Sequence, residues 1–429
     1  MPALDCGHTA QTSKSVCIHL LEKTSELIAR YFTGTGQEFH LICEACARKI
    51  DATPPVLKTV CPACFAALEE DVGELIAGRP EVHERHTTLA LHHQDVRIGN
   101  WPARQLRDIQ PVERAGWIVL FADGEIARLD FARRAVQSIC RLSNWLLPES
   151  AALTTSADGR WLAVVDDRGS EGVVVDAANG AITMRLHRGD YHAEETHYPA
   201  AFFELDGEHY LVHATDWNRL DVSKPATGQR VTERTSPAIE RGKPSPAHYL
   251  DYFHGRLTVS PDNTRIAEYG WVWHPQGSVR SWSLQRWLRA NVWESEDGES
   301  VRKLAWSDYF WDGPLCWIGN HTLAIWGFGQ DDDFMIPAVQ VWDVQNGRMV
   351  RWFAGPEKGR LIYDGRHLCS TSENGTAAWD VVSGERLFHD PAFKPLCYHR
   401  GRRQFLSILD GGVFRLSRLD RPIEDAPVK

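Results

Sequence analysis

Beyond residue 100 the chain alternates short apolar runs with turn residues in a unit that recurs down its length. The clearest copy spans Ala152 to Leu186: after Asp158-Gly159-Arg160 come WLAVVDD, then GVVVDAANG, then AITMRL. A second follows Tyr363-Asp364-Gly365-Arg366 as HLCSTSENG, TAAWDVVSG and ERLF. A third follows Ile318-Gly319-Asn320 as TLAIWGFG, VQVWDVQNG and RMVRWF. Looser copies occupy 116–142, 201–234, 256–306 and 396–418. The runs read as strands, and the Asp-Gly, Asn-Gly and Ser-Gly pairs supply the positive φ that tight hairpins need. The third strand of each unit ends near Asp130, Asp176, Asp221, Ser283, Asp343, Asp380 and Ser417, 37 to 62 residues apart. Four short antiparallel strands cannot bury a two-sided apolar sheet alone, so successive sheets must pack face to face in a ring. The pattern predicts an all-β chain, a seven-bladed β-propeller over 96–422 with a polar tail at 423–429. The seventh unit has only three strands. The segment Thr87 to Gly99 (TTLALHHQDVRIG) alternates well enough to supply the fourth, which would close the ring and remove an open edge.

The runs VQVWDVQNG, TAAWDVVSG and SADGRWLAVVDD resemble WD40-type and YVTN-like propeller repeats, over roughly residues 87 to 420. The WD dipeptides are Trp342-Asp343 and Trp379-Asp380. The resemblance implies a seven-bladed toroid. The whole chain resembles bacterial proteins that join a Cys/His-rich head to a WD40-like body, a resemblance that carries over no activity.

Ahead of the ring the pattern changes. Six of the 10 cysteines fall between residues 6 and 64 and, with two histidines, form four pairs: Cys6-x-His8, Cys17-x-His19, Cys43-x-x-Cys46 and Cys61-x-x-Cys64. A two-residue gap between thiolates suits a knuckle that aims both sulfurs at one tetrahedral ion, and eight ligands suffice for two closed structural zinc sites. A disulfide framework needs an oxidising compartment. The first twenty residues lack the apolar core of a secretory leader, which predicts a cytoplasmic protein. Four pairs can be divided between two sites in sequential, nested or interleaved fashion, and the spacings do not choose. Phe39 to Cys43 reads as a strand entering a knuckle, while 18–32 and Phe65 to Ile76 carry apolar residues at helical spacing. A head over 1–80 and a linker at 81–95 follow. So small a core predicts dependence on the metal.

Charge narrows the partners. The chain has a net charge of −10, and residues 1 to 80 hold seven Lys/Arg against ten Asp/Glu. A nucleic-acid finger needs a basic face, so none is expected. No run approaches the ~20 apolar residues of a membrane span. Of the 17 tryptophans, nine lie within 271–326. SWSLQRWLRANVW predicts a helical insertion capping one face, with Trp282, Arg286, Trp287, Arg289 and Trp293 as a candidate partner-binding surface. His187, Asp190, His192 and His197 form a second polar candidate, although their spacing is not the HExxH pattern. The expected function is a protein-interaction scaffold with the zinc head as a second contact module or lid. The alternative is a propeller hydrolase or lyase using the His187 to His197 segment with Asp216 and Asp251 at the channel mouth.

Overall fold

Seven small antiparallel sheets follow one another from Leu106 to Asp420. The structure is a computed structural model describing residues 4–8, 12–22, 27–32, 39–50, 53–69, 72–77, 81–85, 89–99, 101, 105–113, 116–142, 148–235, 244–329, 331–409 and 412–420. The tail at 423–429 lies outside them. The inner strands of the blades are Leu106–Val112, Ala151–Thr155, Ala200–Leu205, Leu257–Val259, Leu315–Trp317, Arg360–Tyr363 and Cys397–His399. They touch one another in succession from blade 7 through blade 1 to blade 6. Between blades 6 and 7, Ile362, Cys369 and Ala378 pack with Phe405 and Leu419. The strand Ala90–Arg97 pairs antiparallel with Val413–Asp420, from Arg97↔Val413 to Ala90↔Asp420. It forms the outer strand of blade 7, so the ring is joined by its two ends.

Local chemistry explains the repeat. The carboxylate at the end of the third strand accepts the next backbone N–H groups: Asp130 from Ala132 and Arg133, Asp343 from Gln345 and Asn346, Asp380 from Val382 and Ser383. Four residues after Asp176, Asp343 and Asp380, Gly180, Gly347 and Gly384 adopt φ of +73°, +64° and +79°, a region that penalises a Cβ. The register shifts beside each of these turns, as in a bulged hairpin.

Blade 3 departs from the expected pattern. Its described sheet has three strands, and QRVTER is not the fourth. The Val231 N–H donates to the Val222 carbonyl, Thr232 Oγ1 accepts the Val222 N–H, and Arg234 reaches the Leu220 carbonyl. One short antiparallel bridge, Ser223↔Arg230, and the side chains of Thr232 and Arg234 thus satisfy an edge that a full strand would otherwise cover. The short helices Leu284–Arg289 and Glu294–Asp297, inserted in blade 4, fill the same seam. Trp282, Leu284 and Trp287 pack with Phe203, Val212 and Val222 of blade 3, and Arg234 pairs with Glu296. The insertion therefore packs sideways between two blades and does not cap the ring.

The head is a five-stranded sheet. Its strands are β1 (Lys14–Cys17), β2 (Ile28–Phe32), β3 (Phe39–Cys43), β4 (Leu57–Val60) and β5 (Val72–Ala77), in the order β4-β1-β3-β2-β5. Three short helices are α1 (Ile18–Leu21), α2 (Glu44–Ala47) and α3 (Pro62–Glu69). The helical spacing over 18–32 is therefore misleading beyond Leu21, and α3 ends before Ile76. In both places strand pairing overrides a short apolar period: β2 sits between β3 and β5. Val16, Ala29, Leu41, Ile42 and Val60 form a fully buried but small core. Among the described residues no helix is long and apolar enough to cross a membrane.

Candidate metal centres and upper-face site

The four Cys/His pairs of the head converge as two tetrads. Cys6 and His8 meet Cys61 and Cys64, while Cys17 and His19 meet Cys43 and Cys46. The partition is nested: first pair with fourth, second with third. Each tetrad is built in the same way. One cysteine follows or ends a strand (Cys61 after β4, Cys43 at the end of β3), and its partner three residues on lies in the first helical turn of α3 or α2. Cys17 ends β1 and His19 lies in α1, whereas Cys6 and His8 flank Gly7 at φ +79°. The Cys43 N–H points at Cys17 Sγ (3.2 Å) and the Cys61 N–H at Cys6 Sγ (3.3 Å), so the sulfurs are held in matching backbone settings.

The donor set fits a tetrahedral ion. Bonds of about 2.3 Å to sulfur and 2.1 Å to nitrogen imply edges of about 3.8 Å (S···S) and 3.6 Å (S···N). His19 Nδ1 lies 3.6 Å from Cys43 Sγ and 3.3 Å from Cys46 Sγ; His8 Nδ1 lies 3.7 Å from Cys61 Sγ and 3.4 Å from Cys64 Sγ. All ligand atoms of a tetrad lie within 4.8 Å of one another. Burial, then the Cys43 sulfur, pushes the Cys46 thiol up to about 12. The Cys61 sulfur, then burial, pushes Cys64 up to about 11. Three sulfurs this close do not all ionise unaided, and a divalent cation held among them would supply the compensating charge. Two Cys₃His clusters that could each hold a metal ion are the outcome.

In an antiparallel four-stranded blade, the loop entering the first strand and the hairpin between the second and third lie at the same end. These loops form one face of the ring, here called the upper face. The head docks at its rim on blade 5. Phe32 of β2 is 2% exposed and packs edge-on against Trp352 (5.1 Å between ring centroids), which stacks on Phe328 at 4.2 Å. From there the chain runs along the edge of blade 6, where Glu84 bridges to Arg386 and Arg85 pairs with Glu385.

At the channel mouth, the starts of the inner strands of blades 4 to 6 line a cavity of about 400 Å³ that includes His197, Arg256, Asp312 and Arg360. His197 Nδ1–H donates to Asp167 (2.6 Å), and Arg168 donates to His197 Nε2 (3.2 Å) and to Asp312 (3.0 Å). Arg256 also donates to Asp167, at 2.9 Å. Burial opposes ionisation of Asp167, but the His197 hydrogen bond and Arg256 outweigh it and hold its pKa low. Burial wins at Asp312, whose pKa is raised. Asp167, Arg168, Arg256 and Asp312 carry no sequence signal, because their meeting depends on loops of three blades. The rest of the expected polar cluster does not assemble. His192 groups with Glu194 and Glu195, and His187 Nδ1 accepts the Gly189 N–H. Asp190 is exposed, and Asp216 and Asp251 do not line the cavity.

The expected Trp/Arg surface needs correction. Trp282 and Trp287 are 0% exposed, because the insertion fills the seam beside blade 3. Trp293 is half-buried, stacked on His248 at 4.8 Å, with Arg234 over its ring. Arg286 pairs with Glu294 and Glu299, and Arg289 with Asp206. Three exposed aromatic residues lie elsewhere, on the upper face: Tyr191 is 50% exposed, Trp273 39% and Tyr309 63%. Trp271 and Trp273, alternate residues at a strand end, meet at 5.1 Å.

No family model matches the chain and no curated protein matches it. Solved structures similar to it include WD40 repeats and a β-propeller domain. Sqt1 of Saccharomyces cerevisiae is 13% identical, with a TM-score of 0.49 over 73% of this chain and 84% of that one. The WD40 repeats of RRP9 are 11% identical, with a TM-score of 0.47 over 79% of this chain and 100% of that one. A chain of a mitotic checkpoint complex is 13% identical, with a TM-score of 0.48 over 80% of this chain and 95% of that one.

Proposed function

We propose that this protein is an interaction scaffold whose contact face is the upper face of the propeller, with a zinc-bound head fixed at its rim. The observation that carries the reading is that this face gathers the exposed aromatic residues Tyr191, Trp273 and Tyr309 on loops of a seven-sheet ring. Loops on a stiff frame can present a partner surface at low entropic cost. Zinc is the ion for both tetrads, since three thiolates and one imidazole in a tetrahedron suit it and leave no open position for chemistry. The thiolates call for a reducing compartment, the cytoplasm.

A second reading, an enzyme at the channel mouth, is favoured by the Asp167–His197 pair in a cavity. A histidine base needs a free ring nitrogen. Here Nδ1 faces Asp167 and Nε2 already accepts from Arg168, so the geometry suits a held ligand better than proton transfer. Purification of the tagged full chain from its host with in situ cross-linking tests the scaffold. Cross-links from a stoichiometric protein partner to the loops 188–197, 248–256 and 309–314 are expected. Cross-links confined to the opposite face would contradict it.

A further inference from the structure

Around Tyr191 the upper face carries an aromatic patch ringed by carboxylates. Its floor is a stack: Phe253 lies on Trp271 (4.3 Å, 10° between planes), and Trp271 lies on Trp311 (5.2 Å, 24°). Four further rings stand on this floor: Tyr191, Trp217, Trp273 and the half-buried His192, which meets Tyr191 at 4.7 Å and Trp273 at 5.0 Å. Trp217 meets Phe253 at 4.6 Å and Tyr191 at 5.3 Å, and Trp273 packs against Phe253 at 5.6 Å. These residues come from three blade junctions, so the stack fixes the rings relative to one another. Tyr191 and Trp273 nevertheless leave 50% and 39% of their surface in water.

The surroundings are acidic. Asp190, Glu194, Asp216 and Asp251 are exposed. Asp216 adjoins Trp217, and its Oδ1 lies 3.5 Å from where a Cβ on Gly189 would stand. Asp251 stands two residues before Phe253 in the loop that enters blade 4. Among the described residues, only Glu194 of these four has an ion-pair contact, with His192 at 3.9 Å. The nearby Arg188 does not offset them at the surface: it is 3% exposed and donates to the carbonyls of Gly169, Ala193, Thr196 and His197.

We propose that this patch docks an arginine-bearing extended segment of a partner protein, with guanidinium groups over Tyr191 and Trp273 and the carboxylates as counter-charges. Aromatic faces attract cations, and arginine stacks on them while donating to carboxylates in the plane. Charge complementarity selects this occupant over an acidic segment or an apolar helix. The inference rests on the scaffold reading and names the chemistry of its partner.

The probe is a labelled, end-blocked peptide of alternating arginine and glycine, compared with the same peptide carrying citrulline, and binding to the full chain is read by fluorescence anisotropy. The arginine peptide should bind at least about tenfold more tightly than its citrulline analogue. Tyr191→Ala and Trp273→Ala should each weaken it by about tenfold. Asp216→Asn with Asp251→Asn should weaken it and flatten its salt dependence. Trp306→Ala, at another surface tryptophan that is 39% exposed, should change nothing. Equal binding of the two peptides, unchanged binding by Trp273→Ala, or an equal loss with Trp306→Ala would overturn the inference. If Tyr191→Ala and Trp273→Ala leave the host partner bound at the upper face, the scaffold reading stands and this one falls.

Discussion

His213 shows how one buried residue can make the whole ring sensitive to pH. It sits in the second strand of blade 3, with Nε2 2.9 Å from Ser223 Oγ and Nδ1 3.1 Å from the Ala214 carbonyl. Nδ1–H donates to the carbonyl and Nε2 accepts from the hydroxyl, so the neutral ring satisfies both neighbours. Burial pushes its pKa down to about 4, against about 6.5 in the unfolded chain. Between those values the unfolded state binds more protons. The stability contributed by the neutral ring is therefore complete above pH 6.5 and lost as pH falls towards 4, by about 3 kcal/mol. Urea unfolding at pH 7 and pH 4.5 should show that loss in the native chain and a smaller one in His213→Gln; equal losses would exclude the effect. At this scale the sequence was legible where chemistry is local. Asp176, Asp343 and Asp380 at third-strand ends, each with a Gly four residues later, announce their turns. The cysteine pairs announce ligands, because a two-residue gap already sets their geometry. Which pairs share an ion was not legible, since that depends on β1 lying between β3 and β4. The Asp167–His197–Arg256 group was hidden for the same reason.

Elements were legible where they repeat and misleading where they do not. Seven units and the third-strand ends are visible because each blade solves the same burial problem. Trp282 and Trp287 read as a surface because a helical period gives no information about what lies opposite it. That the described residues of blade 3 form only three strands is what turns that insertion into filler. Strand Ala90–Arg97 is the element on which the ring depends most. Its pairing leaves no free edge on Val413–Asp420, and an exposed edge invites association. A chain beginning at residue 81 should remain folded and monomeric by size-exclusion chromatography, whereas one beginning at residue 99 should aggregate. Equal behaviour of the two would show that closure contributes little.

On the scale of the whole molecule, a ring closed by its own two ends carries a small head with two Cys₃His clusters. The head's apolar centre is a handful of side chains around Val16, Leu41 and Val60, and its strands are tied to its helices through the two tetrads. Phe32 and the segment 81–85 hold it against blades 5 and 6, so the head is positioned beside the upper face. The central claim is that each tetrad holds one zinc ion, and native mass spectrometry of the full chain purified under reducing conditions tests it most directly. The expected result is a mass excess of two zinc ions, falling to one when either Cys43 or Cys64 is replaced by serine. A metal-free chain with six free thiols in the head, or one holding those cysteines as disulfides, would contradict it.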